Sequence, residues 1–115
     1  MEVVKILGKA SPKLSEEDIY TVPAGKGCVI SHINICNADV YDTDISIQIG
    51  QPNDFLYNSD LTYAEYGMLV YAKCSAQRLK GVTLAEGDVI KVASSNDFVT
   101  FILFGSEFDQ ILPGA

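Results

Sequence analysis

The sequence predicts an all-β protein, a single-domain antiparallel β-sandwich of jelly-roll-like form spanning residues 1–115. About eight or nine short apolar segments are separated by turn signals roughly every eight to twelve residues. No segment of about ten residues has the apolar spacing of an amphipathic helix. With 115 residues, 48% of them hydrophobic, the chain is long enough to bury one core without disulfide bonds.

The first half of the chain supplies four predicted strands. Thr43–Ile49 is the clearest, because isoleucines at 45, 47 and 49 point inward while Asp44, Ser46 and Gln48 point outward. Pro23 with the glycines that follow it ends one strand before the next begins, because proline cannot donate to a strand ladder. The predicted strands are Val3–Leu7, Ile19–Val22, Gly27–Asn37 and Thr43–Ile49, and Gly8–Lys13 is predicted as a connecting loop.

The middle of the chain is less regular. Gln51–Asp54 is predicted as a turn, Phe55–Tyr57 as a short strand, and Tyr63–Tyr66 as either a helical turn or the end of a strand. Beyond it, Glu86–Asp88 and Ser94–Asp97 are predicted turns. The remaining predicted strands are Gly67–Lys73, Gly81–Leu84, Val89–Ala93 and Phe98–Phe108, with Ser75–Lys80 a polar strand or loop.

The predicted last strand, Phe98–Phe108, is apolar on both faces. Such a strand is usually buried on both faces, whereas one face of a sandwich sheet normally meets water. A second covering surface is therefore expected from another subunit, a loop of the same chain, or the tyrosine-rich segment Tyr57–Tyr71. A subunit interface is the first expectation, because contiguous exposed apolar patches mark contacts.

Tyrosine is the one composition signal for binding, since four of the six tyrosines lie in Tyr57–Tyr71. Tyrosine offers a large rigid contact area with a polar tip and is enriched at interfaces. The alternatives are a protein contact, a cap on the edge of the core, or stacking on sugar rings. The candidate protein-interface residues are Tyr63, Tyr66, Tyr71, Phe98, Phe101, Phe104 and Phe108.

Charge and hydropathy exclude other classes of partner. The net charge is −7 and the eight basic residues are scattered, so no nucleic-acid partner is expected. No apolar stretch reaches about 18 residues, so no membrane span or membrane partner is predicted. The first residues lack a secretory signal pattern, which predicts synthesis in the cytoplasm.

No pattern predicts catalysis, a metal site or a cofactor. His32 is the single histidine, and Ser31 is expected on the opposite strand face, which leaves His32 without a local partner. The three cysteines, Cys28, Cys36 and Cys74, lack zinc-ligand spacing and are interpreted as small buried hydrophobic residues in a reducing compartment.

The acidic and glycine-rich turns are interpreted as ordinary turn chemistry. No complete calcium loop exists, and Gly25–Gly27 is predicted as a hairpin turn because no G-K-[ST] follows. The aspartates assigned to turns or outward strand positions are Asp39, Asp42, Asp44, Asp54 and Asp60.

Three motifs resemble those of small virion proteins of tailed bacteriophages. Tyr20–Lys26 matches Y-T-V-P-A-G-K and leads to a strand ending in Cys36-Asn37. Gly81–Val92 matches G-[VIL]-T-L-A-x-G-D-V-[IV]-[RK]-V, and Phe101–Glu107 matches F-x-x-F-G-x-E. The match covers most of residues 19–108 in order, and it departs from the pattern in residues 54–71 and in the first eighteen residues.

The resemblance implies a non-enzymatic structural protein of the phage particle, made in the host cytoplasm and located in the virion. The first expectation is a capsid decoration or cement protein, a homotrimer that contacts itself and the major capsid protein or another virion protein. The alternatives are a tail, neck or baseplate component, and a carbohydrate- or receptor-binding module.

Overall fold

Two antiparallel β-sheets pack face to face in the computed structural model, which describes residues 4–12, 16–57, 62–96 and 98–109. The elements, in chain order, are β1 (Lys5–Ala10), β2 (Glu17–Thr21), β3 (Lys26–Asn37), β4 (Thr43–Gly50), α1 (Pro52–Tyr57), β5 (Tyr63–Val70), β6 (Ser75–Arg78), β7 (Val82–Leu84), β8 (Val89–Ser94) and β9 (Val99–Asp109). Among the described residues, no helix has the length and hydrophobicity of a membrane span.

The strand order is that of a jelly roll. The first sheet has the order β1-β9-β3-β6, with the short β7 also paired to β3, and the second sheet has the order β2-β8-β4-β5. Each sheet therefore combines strands from the beginning and the end of the chain, and every pairing is antiparallel. The predicted all-β sandwich of jelly-roll-like form is confirmed.

The core lies between the two sheets and follows the alternation predicted for β4. Ile45 and Ile47 are fully buried, and Ile49 is half-buried. Gln48, predicted to face outward into water, is instead buried. Its Nε2 donates a 2.8 Å hydrogen bond to Thr62 Oγ1, which gives the buried amide a partner.

Strand β1 extends further than predicted, because Gly8 is not the start of a loop. The register shifts between Ile6 and Gly8, and a Cβ at Gly8 would lie 2.1 Å from the Ile19 carbonyl oxygen. This glycine marks a bulge where the edge of the first sheet passes close to β2 of the second. The strand continues to Ala10; Val3 and Lys13 lie outside the described residues.

The predicted strand at Phe55–Tyr57 is wrong, since these residues form the second half of α1. Pro52 occupies the first helical position, and Asp54 Oδ2 accepts a 2.9 Å hydrogen bond from the Gln51 amide. Both are helix-start signals: a proline at N1 and an acidic N3 side chain that reaches back to the N-cap. Tyr63–Tyr66, left open from the sequence, is part of strand β5.

The sandwich has two distinct ends. At the motif end lie the turn at 22–25, the turn at 85–88 and the end of β9. At the loop end lie the connections β3–β4 (residues 38–42), β5–β6 (71–74) and the described part of β8–β9 (residues 95–96 and 98). The two ends carry different chemistry.

Candidate interaction surfaces

The three sequence motifs meet at the motif end. Tyr20 Oη of the first motif donates a 2.6 Å hydrogen bond to Glu107 Oε2 of the third. The Val22 amide donates to the Asp88 carbonyl at 2.9 Å, and the Gly87 amide donates back to the Val22 carbonyl at 3.1 Å. The motifs therefore hold two turns and the last strand together.

Charged contacts reinforce this junction. Glu86 Oε1 accepts a 3.0 Å hydrogen bond from the Gly25 amide, where φ is +75°, a value that favours glycine. Lys26 pairs with Asp109 at the end of β9. Lys5 Nζ lies 3.0 Å from Glu107 Oε1, so the first strand also joins the group.

The contacts at this junction shift the pKa values of Glu107 and Tyr20. The hydrogen bond from Tyr20, followed by that from Lys5, holds the pKa of Glu107 below its ordinary value. Burial, and then the bond to Glu107, raises the pKa of Tyr20 well above its ordinary value. Both shifts favour an ionised carboxylate facing a neutral phenol, which is the arrangement that keeps the hydrogen bond charge-assisted.

Four large hydrophobic side chains project from the loop end. Val40 and Tyr41 lie on the β3–β4 loop, Tyr71 on β5–β6 and Phe98 on β8–β9, and they are between 62% and 72% exposed. Aromatic side chains at this exposure are typical of protein contacts. This end is the most hydrophobic exposed surface among the loops described.

Buried Asn37 fixes the base of these loops. Its Nδ2 donates to the Tyr41 carbonyl at 2.9 Å and to the Val70 carbonyl at 3.1 Å, while its Oδ1 accepts from the Asp39 amide at 3.0 Å. The side chain is fully buried, so leaving these groups unpaired would be costly. One amide thus ties the β3–β4 loop to the end of β5.

Two further hydrogen bonds join the loops to one another. The Ala38 amide donates to the Phe98 carbonyl at 2.9 Å, and Asp42 Oδ1 accepts from the Ala72 amide at 2.8 Å. The exposed hydrophobic side chains therefore stand on tied loops. A contact made here loses less conformational entropy than one made by free loops.

The outer face of β9 forms a second hydrophobic surface. Phe104 and Phe108 are half-buried; the His32 ring stacks on Phe104 with centroids 4.7 Å apart, and Phe108 lies over Gly27, where a Cβ would be 2.4 Å from the ring. Beside them, Ile6 is 49% exposed. The second covering surface expected for this strand stays a prediction.

Phe101 does not belong to either surface. It pairs with Ala10 and Ile35 across the first sheet and is fully buried between the sheets. Because alternate residues of a strand point to opposite faces, Phe101 faces the core while Phe104 faces out. Its assignment as an interface residue is wrong.

The remaining interface candidates lie on different surfaces of the sandwich. Tyr63 and Tyr66 lie on the outer face of the second sheet, with ring centroids 4.7 Å apart in an edge-to-face arrangement. Tyr71 and Phe98 lie at the loop end. Val40 and Tyr41 were missed from the sequence, although two apolar residues between Asp39 and Asp42, aspartates assigned to turns or outward positions, were a usable signal.

His32 and Ser31 correct a second expectation. Ser31 Oγ lies 3.2 Å from His32 Nδ1, so the two side chains do pair. The register of β3 against β9 shifts between Ile30 and His32, and this bulge breaks the alternation that would have separated them. The half-buried imidazole packs against Phe104 on the outer face.

The same bulge places the two cysteines of β3, Cys28 and Cys36, on opposite faces of the strand. Cys28 is buried as interpreted, and burial raises the pKa of its thiol. Cys36, further along β3, is exposed, as is Cys74 in the β5–β6 loop. The interpretation of all three as buried hydrophobic residues is therefore wrong for these two.

Two of the predicted turn aspartates, Asp39 and Asp54, accept hydrogen bonds from backbone amides within three residues, as ordinary turn chemistry predicts. Asp42 instead accepts its hydrogen bond from the Ala72 amide of the β5–β6 loop. Asp44 lies exposed on β4, and Asp60 is outside the described residues. Across residues 4–12, 16–57, 62–96 and 98–109, no three His, Cys, Asp or Glu side chains are arranged to hold a metal ion.

No protein-family model matches the chain, and no curated protein does. The fold defines the class of the protein as an all-β jelly-roll sandwich, with exposed hydrophobic side chains at one end and on one face.

Proposed function

We propose that this protein is a non-enzymatic structural component of a phage particle, a capsid decoration or cement protein that stabilises the shell through protein–protein contacts. The observation that carries the proposal is the loop end, where four exposed hydrophobic side chains stand on hydrogen-bonded loops. The assignment to a phage particle rests on the resemblance of the three sequence motifs to those of small phage virion proteins. The jelly roll is common in viral capsid domains, but lectins and enzymes also have this fold. The proposal therefore rests on the exposed hydrophobic surfaces and not on the fold.

Two separate surfaces suit two kinds of contact. The outer face of β9, with Phe104 and Phe108, would join copies into a homotrimer, because these side chains lie on a broad sheet face. The loop end would contact the shell, since its side chains project from one end of the sandwich. The acidic charge of −7 suits an exterior position, away from packaged DNA.

Hydrophobic burial would provide the binding energy. Each Å² of apolar surface removed from water contributes about 25 cal/mol, and a standard interface buries about 800 Å² per partner. Most of that gross energy offsets the loss of translational, rotational and side-chain freedom on association. A trimer seated on a symmetric shell makes several identical contacts at once, which raises the overall affinity.

The test is the position of the protein on intact particles. Antibody-gold labelling should decorate the head at regular, symmetry-related positions. Labelling confined to the tail, neck or baseplate would replace this proposal with the tail-component alternative. Absence of the protein from purified particles, by mass spectrometry, would contradict both.

A further inference from the structure

We propose that the outer face of the second sheet carries a binding site for a neutral pyranose sugar, a function beyond particle assembly. The site is an open groove of about 370 Å³, a volume within the usual range for small-ligand sites. It combines one aromatic ring, one carboxylate and serine hydroxyls around a floor of small residues. The lining includes Asp44, Ser46, Tyr66, Gly67, Ala93 and Ser95.

The aromatic wall is Tyr66, which is 76% exposed. The Tyr63 ring meets it edge-on at 4.7 Å with an interplanar angle of 78°, which restrains the exposed ring from one side. One face of a pyranose presents C–H groups that are apolar and slightly positive, and an aromatic face is apolar and slightly negative. Tyr66 therefore offers a stacking platform of the correct chemistry.

A β-bulge sets the position of this ring. Ile45 pairs with Met68 and Ile47 pairs with Glu65, so Tyr66 and Gly67 together face the single residue Ser46. Gly67 has φ +63°, and its amide donates a 3.3 Å hydrogen bond to Ser46 Oγ. Bulges redirect side chains and often lie beside functional sites, and here the bulge holds Tyr66 at the groove wall.

The polar component is Asp44. Its amide donates to Ser95 Oγ at 2.9 Å, and its carbonyl accepts from the Ser95 amide at 3.0 Å, so the backbone is fixed on both sides. Within the part of the chain that the structure describes, no group pairs with the Asp44 carboxylate. Two carboxylate oxygens accept hydrogen bonds from adjacent sugar hydroxyls, and their charge disfavours anionic sugars.

The experiment is an NMR titration of the ¹⁵N-labelled full chain with the methyl glycosides of glucose, galactose, mannose and N-acetylglucosamine. At least one should produce saturable shifts at the amides of Ser46, Gly67 and Ser95, with a Kd of about 1 mM, an affinity of about 4 kcal/mol. A methyl sialoside, which is anionic, should produce none.

Substitutions inside and outside the groove test where the sugar binds. Tyr66→Ala should weaken affinity at least about tenfold, equal to about 1.4 kcal/mol, while Tyr71→Ala, an exposed tyrosine at the loop end, should change it less than about twofold. Asp44→Asn should weaken affinity about threefold to tenfold through loss of one acceptor oxygen. Unchanged melting curves would show that each variant is folded.

Three outcomes would overturn the site. The first is no saturable shift with any of the four neutral sugars, and the second is shifts that persist in Tyr66→Ala. The third is a lysine-rich peptide that moves these amides when the sugars do not, which would identify a peptide groove. Because the titration uses the isolated chain, its result is independent of where the protein sits on a particle.

Discussion

Tyr20 and Glu107 join the two sheets at the motif end, through a 2.6 Å hydrogen bond between residues 87 positions apart in the chain. Tyr20 lies on β2 of the second sheet and Glu107 on β9 of the first. Lys5 approaches the same carboxylate from β1. This contact closes one end of the sandwich, whereas the loop end and the outer sheet faces expose large hydrophobic side chains.

Removing the Tyr20 hydroxyl should destabilise the fold. Hydrogen bonds to charged groups contribute about 1.5–3 kcal/mol, and partial solvent exposure here reduces the expected loss for Tyr20→Phe to about 1–2 kcal/mol. Denaturant unfolding measures the change. Tyr41→Phe, at the exposed loop end, is the matched control and should stay within about 0.5 kcal/mol. Equal losses in the two variants would show that the Glu107 bond contributes nothing.

Glu107 should make stability fall in acid. Its folded-state pKa is lowered, so its stabilisation is complete above the ordinary value of 4.5 and is lost as the pH falls through the lowered value. Glu107→Gln removes this group from the titration. Between about pH 6 and pH 3, its Tm should drop by about 4 °C less than that of the wild type. A drop in Glu107→Gln as large as that of the wild type would contradict the linkage.

Asn37 should be the most sensitive polar position at the loop end. Asn37→Ala leaves the Tyr41 and Val70 carbonyls without their donor, at a cost of about 2–3 kcal/mol. Amide exchange should accelerate in residues 38–42 and 71–74, because their shared anchor is gone. Asn34→Ala, on the outer face of the same strand, is the control. Loop protection that survives in Asn37→Ala would show that other contacts order this end.

The outer face of β9 should determine the oligomeric state. Light scattering of the wild type at micromolar concentration should give three times the chain mass of 12.5 kDa. Phe104→Asp places a charge in the proposed trimer contact and should give a monomer that remains folded, since Phe104 is only half-buried in the subunit. Thr83→Asp, an exposed position on β7, should remain trimeric. A monomeric wild type would remove this interface.

Local sequence patterns predicted most of the fold. The strand Thr43–Ile49 and the turn at Glu86–Asp88 each depend on neighbouring residues, and both were predicted correctly, except that Gln48 is buried and not exposed to water. The bulge at Ser31 was not, because it arises from the register of β3 against a strand 70 residues away. The same applies to Phe101, because packing between the two sheets determines which face of β9 points into the core.

The candidate surfaces were harder to predict from the sequence than the strands. Tyr41, Tyr71 and Phe98 belong to three different loops, and only the jelly-roll topology brings those loops to one end. Tyr66 was recognised as a candidate, but its groove depends on the bulge at Gly67 and on Ser95 from the β8–β9 connection. Periodicity carries no information about such long-range neighbours.

The central claim is that the loop end binds the particle, and a binding assay tests it most directly. Particles prepared without this protein would be mixed with the purified wild type or with Tyr41→Ser/Phe98→Ser, and the bound fraction measured by co-sedimentation. The variant should fold and melt like the wild type, because both side chains are exposed, and bind at least about tenfold more weakly. Tyr63→Ser, on the second sheet, should bind normally. Undiminished binding by the folded loop-end variant would contradict the account.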